Sequence, residues 1–148
     1  MLFLDPILRR ALLLVLGMTW ALSARAEKLL IIASALVPEN TVSVKELADI
    51  YIMKKQNWSN GIKVIPVNRE VASTEREEFS KEIFNLSPQQ LSDYWNRLRF
   101  QGKLPPSVQT SDQAVLNFVR SIPGAIGYIR ANQLSKDEKD VKILLQLP

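Results

Sequence analysis

Two hydrophobic rhythms alternate along this chain from residue 29 onward. Leu29–Ala33 (LLIIA), Ile62–Val67 (IKVIPV), Ala125–Ile129 (AIGYI) and Val141–Leu147 (VKILLQL) are short apolar runs. Runs of this length between turn residues predict buried strands. Pro66 has no amide proton to give a sheet ladder, so it marks a sheet edge or a strand terminus. Gly127, inside the third run, points to a close approach by another part of the chain.

Between these runs the apolar positions recur at helical spacing. Val44, Leu47, Ala48 and Tyr51 form one stripe, Phe79 and Ile83 a second, Leu91, Tyr94, Trp95 and Leu98 a third, and Val115, Phe118 and Val119 a fourth. Three of the stripes follow a capping-box pattern: Ser43 with Glu46, Thr74 with Glu77, and Ser87-Pro88 with Gln90. In each pattern a hydroxyl and a carboxylate or amide side chain satisfy amides left unpaired at a helix start. Thr110-Ser111-Asp112-Gln113 opens the fourth helix, and Asn57–Gly61, Gly102, Pro105-Pro106 and Pro123-Gly124 are breakers. Strands that alternate with helices predict an α/β layer structure with a mostly parallel or mixed sheet flanked by helices. The third stripe reads as core rather than as a ligand platform.

The N-terminus has a different character. Arg9 and Arg10 precede the apolar run Ala11–Leu22, and Ser23-Ala24-Arg25-Ala26 places small residues three and one before a cut. That is the pattern of a cleavable export signal spanning residues 1–26. The run is too short for a membrane span, which needs roughly 20 apolar residues. Residues 27–148 then form one domain, expected in the periplasm with no membrane anchor after cleavage. The sequence contains no cysteine, so neither disulfides nor a lipid-modified cysteine is available and packing must supply stability. Half of the formal charge of +4 lies in the signal segment. The remaining cations are interspersed with acids, unlike the one-sided stripe that nucleic-acid binding needs.

The chain has no histidine either. The usual general base near neutral pH, the usual zinc ligands and a thiol nucleophile are therefore all missing, and neither an enzyme nor a metal or cofactor site is expected. Binding chemistry concentrates instead in Val67–Phe79 (VNREVASTEREEF), which runs from a strand end through a loop into a helix. Amides at a helix start attract oxyanions. Ser73 and Thr74 add hydroxyls and Arg69 and Arg76 add guanidinium forks, making these four the candidate ligand contacts. The alternative is a purely structural role, with Ser73 or Thr74 capping the helix and the arginines paired to neighbouring glutamates.

The ordered set Glu46–Tyr51, Trp58 with Asn60-Gly61, Ile62–Arg69, Ser73–Phe79, Tyr94-Trp95 and Pro123–Tyr128 resembles the phosphate ABC-transporter substrate-binding proteins, and particularly their short single-domain relatives. The resemblance implies a single-lobe periplasmic-binding-protein-like domain, with Arg69 and Ser73 matching an arginine and a serine that grip phosphate in the full-length family. Thr74 and Glu75 stand where that family has a glycine and a threonine. The function implied by the resemblance is that of a periplasmic solute-binding-like protein for phosphate or another small oxyanion, linked to ABC-type transport. The alternative is a ligand-free adaptor for a transporter or another cell-envelope protein.

Overall fold

The computed structural model describes residues 27–148; the expected export signal lies outside them. Five strands, β1 (Leu29–Ser34), β2 (Ile65–Arg69), β3 (Ser107–Gln109), β4 (Ala125–Arg130) and β5 (Val141–Gln146), form one mixed sheet. Their order is β3-β2-β4-β1-β5, with β2 parallel to β3 and β4, and β1 antiparallel to β4 and β5.

Among the described residues, four α-helices cover the sheet: α1 (Val44–Tyr51), α2 (Thr74–Phe84), α3 (Pro88–Arg99) and α4 (Asp112–Ser121). Side chains alternate across a strand, and β1 uses both faces. Leu29, Ile31 and Ala33 join Leu47, Ile50 and Tyr51 of α1 and Phe79 and Ile83 of α2 in one core. Leu30 and Ile32 join Val115, Leu116 and Val119 of α4 in the other. The result is a helix–sheet–helix sandwich, with α3 packed on α2. No helix among the described residues is long and apolar enough to cross a membrane.

Most of the expected elements are present, and the shifts have local causes. The second strand begins three residues later than its apolar run, because Val64 donates to the Gln56 carbonyl and Lys63 bridges Asn57. Those residues close a loop around buried Trp58, whose indole donates to the Gly124 carbonyl at 2.9 Å. β2 is an interior strand, and Pro66 sits at its start, paired with Ile126 of β4 before pairing to β3 begins at Val67. β3 carries no apolar run: it is three residues long with an exposed Ser107 and Val108, directly after the Pro105-Pro106 breaker.

The caps divide similarly. Ser87 and Gln90 form the full reciprocal box. Ser43 caps α1, but the Glu46 side chain turns to Lys55. In α2 the cap is Ser73, accepting from the Arg76 amide at 3.1 Å, which corrects the Thr74–Glu77 box: Thr74 is already the first helical residue.

Candidate functional site

β2 and α2 bring the candidate contacts to one end of the parallel part of the sheet. Arg69 closes β2, Ser73 turns the chain, and Arg76 lies on the inward face of the first turn of α2. An aromatic group fixes this junction. Phe79 stacks on Tyr128 at 4.1 Å, Tyr51 tilts against Phe79 at 4.6 Å, and all three are buried. The Tyr51 hydroxyl donates to the Val67 carbonyl at 2.9 Å. The Tyr128 hydroxyl donates to Asn68 Oδ1 at 2.6 Å and accepts from the Arg69 amide at 3.1 Å. Burial pushes both tyrosines far above the ordinary phenol range, so they remain neutral hydrogen-bonding groups.

The two arginines of this junction have opposite surroundings. The Arg69 guanidinium is enclosed by carboxylates. Its Nε and Nη2 donate to Glu70 at 3.0 and 3.1 Å, its Nη1 pairs with Asp112, and Glu75 lies at 3.6 Å. Arg130, at the end of β4, extends the network by gripping both oxygens of Glu78 at 2.6 and 2.9 Å and reaching Glu75 at 3.2 Å. Two guanidinium groups thus face four carboxylates, an excess of two negative charges. An incoming oxyanion would be repelled there. The partner charges hold two of the carboxyls down. The hydrogen bond from Arg69 lowers Glu70. Burial alone would raise Glu75, but its own backbone amide, the hydrogen bond from Arg130 and the charges of Arg69 and Arg130 together hold it low.

Arg76 is 6 % exposed and has no ion-pair partner among the described residues. Its Nη1 donates to the Arg69 carbonyl at 2.7 Å, and its Nε is buried with no partner in the described residues. Burial pulls its pKa down, with only the two tyrosines acting in the opposite direction. Burying an unpaired charge is costly, so this guanidinium is the group in the junction that would gain most from an anion.

Arg76 lines at least two cavities. One, of about 10 Å³, is enclosed by Arg76, Ser80, Asn68, Tyr51, Phe79 and Trp95, among others. That is about the volume of a single water and too small for an oxyanion. Arg76 Nε and Ser80 Oγ both lack a partner among the described residues. The second cavity, of about 150 Å³, opens between α3 and the loop before β3 and brings Arg99 to the same space as Arg76 and Asn68.

Of the four expected contacts, therefore, Arg76 alone lines these cavities. Arg69 is buried in the carboxylate network, the Ser73 hydroxyl caps α2 and donates to the Glu70 carbonyl at 2.9 Å, and Thr74 is exposed. Pairing arginines with glutamates describes Arg69 and not Arg76. Asn68, Ser80, Trp95 and Arg99 do not stand out as contacts in the sequence. A polar residue placed on an apolar helix stripe is the available signal, since Arg76 and Ser80 share the inward face of α2 with Phe79 and Ile83. Nothing local announces Arg130 or Asp112, whose partners are 52 and 43 residues away.

No protein-family model matches the sequence, and no curated protein matches it significantly. Solved structures do match in fold. One is a candidate phosphate ABC transporter substrate-binding protein with bound phosphate from Clostridium perfringens, with TM-score 0.64 and 18 % identity over 80 % of this chain. Others are an ABC-type phosphate transport receptor from Vibrio cholerae (TM-score 0.61, 19 % identity) and PstS from Borrelia burgdorferi (TM-score 0.61, 21 % identity), each also over 80 % of this chain. The chain spans 44, 45 and 46 % of the length of these three proteins, in that order. It therefore has the mixed α/β fold of about half of each of these periplasmic-binding-protein-like structures.

Proposed function

We propose that this chain is an exported, solute-binding-type lobe that recognises a small oxyanion such as phosphate through Arg76, in association with ABC-type transport. The observation that carries the reading is a guanidinium that is 6 % exposed, lacks a carboxylate partner among the described residues and borders an open cavity. The fold neighbours support it, being named for phosphate transport. In this reading Arg69, Ser73 and Thr74 have supporting roles. Arg69 and its carboxylates brace the β2–α2 corner, Ser73 orients the first turn of α2, and Thr74 starts that helix. The cavity beside Arg76 is open to solvent, so affinity near the millimolar range, about −4 kcal/mol, is expected.

Isothermal titration of the folded protein with phosphate and with sulfate tests this. Saturable binding of at least one anion is expected, weakened about tenfold or more in Arg76→Met. Absence of binding by either anion at millimolar concentration, with folding verified, would end the oxyanion reading.

A second reading is an adaptor for an envelope protein. Phe100 and Leu104, 94 % and 72 % exposed, favour it, because large apolar side chains in the open often mark a docking surface. Stable co-purification of an envelope partner, together with absent anion binding, would favour it over the first.

A further inference from the structure

The larger cavity beside Arg76 is not shaped for inorganic phosphate alone. Its floor combines buried Asn68 and Arg76, and its rim carries Arg99, Ser92 and Asn96 from α3. The rest of the lining is apolar, made by Trp95, Pro105, Pro106, Val71 and Val108. No carboxylate among the described residues lines it, in contrast to the Arg69 network. A site that fixes orientation with a few polar groups and encloses the rest in apolar surface is the usual form of a small-molecule pocket.

We infer that this cavity takes a small organic oxyanion, resting on the reading of Arg76 given above. The anionic group is held by Arg76 with Arg99 and Asn68, and an apolar body lies against Trp95 and the Pro105-Pro106 pair. Two arginines lining one cavity suit a phosphate ester or a carboxylate, which accept paired hydrogen bonds from guanidinium forks. Arg76 is buried and held by the Arg69 carbonyl while Arg99 is exposed, so the first sets position and the second adds attraction. Val108 belongs to the edge strand β3 and is 51 % exposed. It adds to the apolar lining of the cavity.

Calorimetric titration with phenyl phosphate, benzoate and inorganic phosphate at constant ionic strength tests the inference on the full folded domain. Phenyl phosphate is expected to bind about tenfold or more tightly than inorganic phosphate, because its ring buries apolar surface that the inorganic ion lacks. Arg99→Met should weaken phenyl phosphate severalfold, and Val108→Asp should erase most of the preference for it over inorganic phosphate. Both positions are exposed, so folding is not at stake. Benzoate stronger than phenyl phosphate would assign a carboxylate ligand within the same inference. Equal affinity for phenyl and inorganic phosphate, or an unaltered preference in both variants, would overturn the inference while leaving the oxyanion reading intact. Loss of all binding would remove both.

Discussion

Arg69→Met is expected to lower the stability of the folded chain by about 3 to 5 kcal/mol, the loss typical when one member of a buried ion-pair network is removed. The Arg69 side chain is 8 % exposed and that of Asp112 is 10 % exposed. Methionine fills much of the space but leaves Asp112, Glu75 and Glu70 facing one another without their shared cation. Arg76→Met should behave differently, shifting stability by about 1 kcal/mol or less. It removes an uncompensated buried charge, and that gain offsets the lost bond to the Arg69 carbonyl. Urea unfolding at pH 7 measures both. The pH dependence comes from the lowered carboxyls. Glu70 and Glu75 lie below their ordinary value of 4.5 in the folded chain. Their contribution is complete above about pH 4.5 and is lost as the pH falls through their folded values. The deficit of Arg69→Met relative to wild type should therefore narrow below about pH 4.5. A deficit that stays constant down to pH 3 would contradict the network account.

Gly124→Ala is expected to destabilise the domain by about 3 kcal/mol or more, a large fraction of the 5 to 15 kcal/mol that holds a typical domain together. Gly124 has φ +80°, a conformation that side chains resist. A Cβ there would lie 2.1 Å from the Lys63 carbonyl oxygen. Because that obstacle is backbone, no rotamer change relieves it. The Gly124 carbonyl also accepts from Trp58 and from the Ile65 amide, so displacement would disturb the start of β2. The consequence would reach Asn68, three residues along the strand, and with it the cavity floor. A thermal midpoint lowered by less than about 2 °C would show that the Asn57–Lys63 loop yields easily.

Much of the fold is legible in the sequence because its elements are locally determined. The apolar runs of β1, β4 and β5 and the caps at Ser43, Ser87 and Ser111 act within a few residues of themselves. Gly127 in β4 is likewise readable: a Cβ there would strike Val67 and Val115 side chains at 2.8 and 2.7 Å. β3 is not legible, since it exists through its pairing with β2 and has no buried face of its own.

The candidate site divides along the same line. The β2–α2 segment, its arginines and its serine cap are visible as a cluster, but which arginine is free depends on distant carboxylates. Asp112 comes from the start of α4 to neutralise Arg69, whereas no acid among the described residues reaches Arg76. Glu75 is used inside the network with Arg69 and Arg130. Trp95, expected as core, is buried yet also walls both cavities.

The most direct measurement is an ¹⁵N–¹H spectrum of the arginine side chains during titration with inorganic phosphate, with the Arg76 Nε–H signal assigned by its loss in Arg76→Met. A saturable shift of that signal, with the Arg69 and Arg130 signals unmoved, is the expected result. Movement of Arg69 with Arg76 unchanged would contradict the assignment of the anion to the unpaired buried guanidinium.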